Sequence, residues 1–371
     1  MRILHLLYES EGDYFGIGGV GTRAYEIYER LRDRHDITFL CKKYPGAKGG
    51  EKRDLKHLFV GVESKNLTKS LLAYAYHAAQ YVRRHEDQYD IIIEEFSPAI
   101  PTFLHVFTRK PLVLQIQGYT GKLYFRKYNP LYAFTLYTLE LLRPRCYDHF
   151  IFVKRETATR FRVGSKKHSH IIPNGVAAEL LNMPYNEGEY ILYLGRIDIY
   201  GKGLDILLNA YAQLLEDSPG VRLVIAGDGR DREPFREKIA ALPRDVRNNI
   251  ELLGWVSGDT KNETIRRALF AVFPSRHEVQ SIAALEAMAS GKAVIVSDIP
   301  EFGVVRDAEA GMSFRTGDAR SLAQSMKDMV THNERGEMGK RGREWVRQFI
   351  WDKIALNFER FLNEVAYVSR I

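Results

Sequence analysis

Short apolar runs of strand length alternate with helix-length segments along almost all of this chain, and no other feature restricts its fold as much. Alternation of that kind builds parallel sheets covered by helices on both faces. In the first half, strand-like runs fall at 3–7, 37–41, 91–93, 112–116 and 150–153, with helical segments at 20–34 and 67–85 between them. A second series starts near 190, runs through 294–297 and continues into helical segments at 319–330 and 335–349. A chain of 371 residues exceeds one ordinary core, so two α/β domains are expected. The segment 173–189, with Gly175, Pro184 and Gly188, is the expected linker, which sets the domains at 1–177 and 178–350 and leaves 351–371 as a closing helix.

Several strands of the second half end in residues that suit a polyhydroxylated, phosphorylated ligand. After the apolar run 190–194 come Gly195-Arg196 and Gly201-Lys202-Gly203, whose cations can converge on one diphosphate. The run 223–226 leads into Gly227-Asp228-Gly229, and 250–253 into Gly254-Trp255-Val256, glycines that let a ligand approach the backbone. The stretch 273–297 adds Pro274-Ser275, then Glu278 and Glu286 ahead of a small-residue helix. If Ser281 opens that helix, Glu278 lies before it and Glu286 in its second turn, with the amides of Ser281 and Ile282 between them. Any one of these groups alone reads as solvated charge on an ordinary βαβ crossover. Their recurrence at successive strand ends points to a nucleotide-sugar, whose hydroxyls want carboxylates and whose phosphates want cations and amides.

The series Ile172-Pro173-Asn174-Gly175-Val176, Leu192-Tyr193-Leu194-Gly195-Arg196 with Lys202-Gly203, Ala226-Gly227-Asp228-Gly229, Leu253-Gly254 and Glu278 followed by Leu285-Glu286-Ala287-Met288-Ala289-Ser290-Gly291 resembles the retaining nucleotide-sugar glycosyltransferases of the GT4 group. Order and spacing match best over 171–305. The resemblance implies the GT-B fold: two Rossmann-like domains facing across a deep cleft, with the last helix crossing back to the first. It implies acceptor binding by 1–177, donor binding by 178–350, Arg196 and Lys202 on the diphosphate, Glu286 on the ribose and Glu278 on the transferred sugar. Gly18, Gly19, Gly227, Gly229, Val256, Ser275, Ser281 and Ile282 complete the implied donor site. Catalysis then needs no nucleophile: the sugar is transferred on its front face and the leaving phosphate takes the acceptor proton.

The loop Gly16-Ile17-Gly18-Gly19-Val20-Gly21 also satisfies the dinucleotide fingerprint G-x-G-x-x-G. Two features oppose a dehydrogenase: about eight residues separate the first strand from Gly16, and Cys41-Lys42-Lys43 stand where a ribose-binding acid belongs. Under the resemblance, Gly18 and Gly19 present amides to a phosphate instead. Where relatives carry His-Gly after the fifth strand, this chain has Gln117-Gly118, so Gln117 reads either as a donor contact or as a satisfied amide. Gln280-Ser281 replaces the Phe-Gly that often follows Glu-x, which makes the sugar pocket more polar.

No Asp-x-Asp and no His-Glu-x-x-His occurs, so neither a divalent metal nor any other cofactor is expected in catalysis. Cys41 and Cys146 lack metal spacing and read as packed thiols in a reducing cytoplasm. The apolar start runs into Glu9 and Glu11 and reads as a strand rather than a signal peptide, while the apolar stretch 131–139 falls short of the ~20 residues that span a bilayer. The stretch of Tyr132, Phe134 and Tyr137 reads as helix core, Glu94-Glu95 as a solvated strand end, and single histidines such as His5 as structural.

Charge is uneven: 28 Lys+Arg against 19 Asp+Glu in 1–180, and 26 against 28 afterwards. Lys122, Arg126 and Lys127, interleaved with aromatics, fit an acceptor site, an anionic membrane surface or a plain solvated face. Nucleic acid is set aside because no recognised module accompanies the charge. A nucleotide-sugar donor and a glycan or lipid-linked acceptor are therefore the expected partners. An epimerase or hydrolase of the same architecture, and a sugar-nucleotide binder without turnover, remain as alternatives. Base, sugar, acceptor and oligomeric state are not legible.

Overall fold

A computed structural model describes residues 1–13, 16–161 and 167–368. The chain divides into two compact units, Met1–Asn174 with Trp351–Ile371, and Gly175–Ile350.

The first unit is built on an eight-stranded sheet of β1 (Arg2–Leu7), β2 (Asp36–Lys42), β3 (Gly50–Lys52), β4 (Leu55–Val60), β5 (Ile91–Glu95), β6 (Leu112–Ile116), β7 (His149–Phe152) and β8 (His168–Ile171), in the order β3-β4-β2-β1-β5-β6-β7-β8. Every pairing is parallel except β3 with β4. The central strands are apolar on both faces because helices cover both; Ile91, Ile92 and Ile93 are all fully buried. Three strands escaped the periodicity reading. β3 is exposed and polar, and it joins β4 through Arg53 and Asp54, both at positive φ as a tight two-residue hairpin demands. β8, His-Ser-His-Ile, is a half-exposed edge without a continuous apolar run.

The helix Trp351–Val368 belongs to this unit. It packs on the helix Gly19–Glu29, with Phe358 edge-on to Tyr28 at 5.6 Å and Arg30 paired to Asp352 at 3.0 Å.

The second unit has six parallel strands, β9 (Tyr190–Leu194), β10 (Arg222–Ala226), β11 (Ile250–Gly254), β12 (Ala268–Phe273), β13 (Val294–Ser297) and β14 (Gly311–Phe314), ordered β11-β10-β9-β12-β13-β14. An apolar layer covers each face. The order runs outward in one direction from β9 and in the other from β12, so the crevice for a ligand lies at the carboxyl ends of these two strands.

The boundary falls at 174/175, three residues before the expected one, and 175–189 is not a free linker. Val176 donates its N–H to the Phe349 carbonyl at 2.8 Å and bridges Ile350, and Val176 and Leu180 are fully buried in the core of the second unit. Burial of those two side chains outweighs the glycine and proline signals.

Candidate functional site

At the β9/β12 switch point the two following loops are fastened to each other. Gly203, at φ +67, leads into the helix Leu204–Asp217, and a Cβ there would stand 2.0 Å from the Pro274 carbonyl oxygen. Only glycine lets the loops come so close. The Arg276 N–H donates to the Gly201 carbonyl at 3.1 Å. Its guanidinium donates to the Tyr200 carbonyl and to both oxygens of Asp205, at 2.8, 2.8 and 2.7 Å, and lies 4.5 Å from the Tyr200 ring centre. Hydrogen bonding to Asp205 raises the Arg276 pKa, so this clamp is always charged. Arg276 was not singled out from the sequence, because its partner lies 71 residues away.

The clamp sets Lys202 opposite Glu278. Lys202 Nζ donates to Glu278 Oε1 at 2.5 Å, and the buried Ser275 hydroxyl donates to the same oxygen at 2.9 Å. The glutamate side chain is 10% exposed and the lysine 26%, so the pair sits in a polar recess with one side open. Arg196 is exposed at the end of β9. Burial drives the Tyr193 hydroxyl far above its ordinary pKa, with the charge of Glu278 raising it further and that of Arg196 lowering it, and this hydroxyl donates to the Arg196 carbonyl at 2.8 Å. Ser281 does cap the helix Ile282–Ala289, its hydroxyl accepting the Ala284 N–H at 3.3 Å, which puts Ile282 in the first turn and Glu286 in the second.

Glu286 has a cation of its own that was not foreseen. Lys261, from the helix Gly258–Arg266 after β11, donates to Glu286 Oε1 at 2.6 Å. Each of the two carboxylates singled out by spacing thus carries a lysine before any ligand arrives.

Other positions take on different roles. Gly227 and Gly229 make room for neighbouring backbone: a Cβ at Gly227 would stand 1.8 Å from the Gly195 carbonyl oxygen, and one at Gly229 2.4 Å from that of Ile197. They bring the β9 and β10 loops into contact, with the Ile197 N–H donating to the Asp228 carbonyl at 2.9 Å. Val256 points its side chain into the core, which leaves only its backbone to touch a ligand. A small depression at the ends of β9, β10 and β11 is lined by Ile197, Gly227, Arg232, Leu252 and Gly254.

In the first unit, the Gly18 N–H donates to the Glu9 carboxylate at 2.9 Å and the Gly21 N–H to the same oxygen at 3.4 Å. An anion reaching the Gly18 amide must displace that carboxylate. Gly19 is exposed beside it. Gln117 donates to Glu95 Oε2 at 3.2 Å, a side-chain rather than a backbone partner, and Glu95 also meets His5 at 3.3 Å and Gln115. Glu94 and Glu95 are not a solvated strand end: both are buried, and Glu94 is held by Arg143, Tyr147 and Thr102. A charge-balancing Arg143, 49 residues downstream, makes that burial tolerable.

Lys122, Arg126 and Lys127 are exposed, as are Phe125, Tyr128, Leu131 and Phe134. Of the three aromatics read as helix core, Phe134 is not, whereas Tyr132 and Tyr137 are half-buried and pack against Tyr124, Ala133 and Leu136. The helix Pro130–Leu142 turns Ala133, Leu136 and Glu140 inward, and Phe134 is 60% exposed. Glu140 takes the buried side because its oxygens accept the N–H groups of Thr120 and Gly121 at 2.8 and 2.7 Å. Cys41 is a buried free thiol; Cys146 is also free but exposed rather than packed.

Two family models match the chain, "Glycosyltransferase Family 4" over residues 17–180 and "Glycosyl transferases group 1" over 188–332. A phosphatidyl-myo-inositol mannosyltransferase of Mycobacterium leprae is 33% identical over 205 residues, 53% of each chain. An uncharacterised glycosyltransferase of Methanocaldococcus jannaschii is 28% identical over 226 residues, 59% of this chain and 60% of the relative. The chain thus aligns with little more than half the length of these curated relatives. Among solved structures, sucrose-phosphate synthase from Thermosynechococcus elongatus superposes with a TM-score of 0.79 at 19% identity, covering 99% of this chain and all of the other. HepE of Anabaena, in complex with UDP-glucose, superposes with a TM-score of 0.76 at 18% identity, covering 98% and 100%. These superpositions show the GT-B fold.

Proposed function

Because the chain belongs to the group 1, family 4 glycosyltransferases, we propose that it transfers a hexose from a nucleoside diphosphate sugar to a hydroxyl of a glycan or lipid-linked acceptor, with retention of anomeric configuration and without a divalent metal. The observation that carries this reading is the contact of Lys202 with Glu278 at the switch-point strand ends, with Arg196 exposed at the end of β9. A donor diphosphate draws Lys202 away from Glu278 and onto its oxygens, where Arg196 adds a planar fork. Glu278, released, accepts from the sugar hydroxyls, and Glu286 turns from Lys261 to the ribose. The bond from the anomeric carbon to the phosphate oxygen breaks, a bond to the acceptor oxygen forms on the same face, and the acceptor proton passes to the departing diphosphate. Two cations meet the charge that develops there, each contact worth ~10²-fold in rate or more.

The printed substrates of relatives favour particular partners. HepE binds UDP-glucose, which supports a uridine diphosphate sugar, and the mycobacterial relatives are named for mannosyl transfer to a phosphatidylinositol, which supports a lipid-linked acceptor. Exposed Phe125, Leu131 and Phe134 beside Lys122, Arg126 and Lys127 suit an anionic membrane face. The contact proposed is a peripheral one; no helix among the described residues is long and apolar enough to cross a membrane. The two free cysteines fit a reducing cytoplasm.

The test is a panel of uridine, guanosine and adenosine diphosphate sugars with and without lipid or glycan extracts. Acceptor-dependent release of nucleoside diphosphate is expected. Sugar conversion without acceptor would identify an epimerase or hydrolase, and binding without turnover a non-catalytic binder; either result overturns the transfer reading.

A further inference from the structure

The edge strand β8 carries His168 and His170 at alternate positions, which places both imidazoles on one face of the sheet. The helix Trp351–Val368 covers that face and supplies Glu364. Glu364 Oε2 lies 3.6 Å from His168 Nε2 and 3.9 Å from His170 Nε2, and one ligand atom from each of the three residues falls within 4.8 Å of the others. Neither contact is short enough for a hydrogen bond. Both lie close to the spacing of about 3.4 Å between neighbouring donors on a tetrahedral Zn²⁺ with bonds of about 2.1 Å. The Phe361 ring, at 5.0 and 4.9 Å from the two imidazoles, forms an apolar floor. His149, the register partner of His168 on β7, stands 6.0 Å behind it ring to ring, with a buried Nδ1 that has no hydrogen-bond partner among the described residues.

We propose that His168, His170 and Glu364 form a binding site for a divalent transition ion of the Zn²⁺ class, which ties the C-terminal helix to the edge of the first unit's sheet. The donor set selects the metal: two imidazoles and one carboxylate suit Zn²⁺, Co²⁺ or Ni²⁺, whereas Mg²⁺ and Ca²⁺ want oxygen donors. The three side chains are 37–44% exposed, which leaves a fourth position for water and lets the rings adjust by the fraction of an ångström that ligation requires. The ion would cover an exposed sheet edge and hold a helix that otherwise rests on Phe358, Phe361 and their neighbours. It takes no part in sugar transfer and stands or falls independently of it.

The experiment uses full-length protein, freed of any affinity tag and of metal by chelation. Zn²⁺ affinity is read by competition with a chromophoric chelator, Co²⁺ geometry by its visible absorption, and stability by the melting temperature with and without Zn²⁺. Expected are one equivalent of Zn²⁺ at micromolar affinity, an intense tetrahedral Co²⁺ spectrum, a Zn²⁺-dependent rise of roughly 5 °C and no response to Mg²⁺. His170→Ala and Glu364→Gln, both at exposed positions, should each weaken binding by at least roughly 10-fold and remove the melting shift. His35→Ala should change none of this, since His35 Nε2 is already held by Glu359 at 2.7 Å. No saturable binding at millimolar Zn²⁺, or binding undiminished in His170→Ala and Glu364→Gln, overturns the proposal.

Discussion

Replacing Glu94 by alanine should destabilise the first unit more than any change at its surface, and the size of the loss follows from what the carboxylate holds. Glu94 is 1% exposed and accepts from Arg143 Nη2 at 2.8 Å, from the Tyr147 hydroxyl at 2.6 Å and from Thr102. Arg143, itself 1% exposed, otherwise rests on the carbonyls of Ser97 and Ile100 at 2.9 and 2.5 Å and on the Phe96 ring. Removing the acid leaves a buried guanidinium with dipoles alone, a loss of about 3–5 kcal/mol. Two orphaned hydroxyls add ~1 kcal/mol or more each unless water enters the space left behind. A net loss of about 4 kcal/mol lowers the melting temperature of a unit this size by roughly 10 °C. Calorimetry should show the transition of the first unit moving while that of the second stays in place. Glu94→Leu combined with Arg143→Met, which removes both charges, should recover most of the loss. The reasoning fails if Glu94→Ala alone unfolds within about 1 kcal/mol of wild type, or if the double variant is the less stable of the two.

Lys202→Ala should lower kcat/KM for donor by ~10²-fold or more and, since Lys202 is partly exposed, shift the urea midpoint little; wild-type turnover would remove Lys202 from the site. Lys292 gives the second unit a distinctive pH response. Burial lowers its pKa from 10.5 to about 8, so between those values the unfolded chain keeps a proton that the folded one has lost, and stability rises with pH across that window. Urea midpoints at several pH values should show this rise in wild type relative to Lys292→Met, and parallel curves for the two proteins would contradict it. Association with vesicles rich in anionic lipid should weaken sharply with added salt and fall further in a Phe134→Ser variant, whereas no association even at low salt would rule out the peripheral membrane contact.

Much of this protein was legible without coordinates. Runs such as 91–93 and 190–194 are apolar on both sides of the backbone, and only a parallel strand buried on both faces accommodates that. Ser281, Glu278 and Glu286 were placed correctly around a helix start because capping and helical spacing act over a few residues. Strands β3, β4 and β8 of the first unit were missed, since β3 is polar, Lys56 and His57 interrupt the apolar run of β4, and β8 alternates at a half-exposed edge.

What tertiary structure decided was partnership. Nothing near Glu94 announces Arg143, nothing near Glu286 announces Lys261 across 25 residues, and nothing near Lys202 announces Glu278 across 76. The glycines at 227 and 229 were legible as glycines, but whether a ligand or a neighbouring loop fills the space beside them depended on where that loop ran. Local propensity and periodicity act within a few residues along the chain. Desolvation and charge pairing act across a few ångströms of space, and only folding brings distant residues to that range.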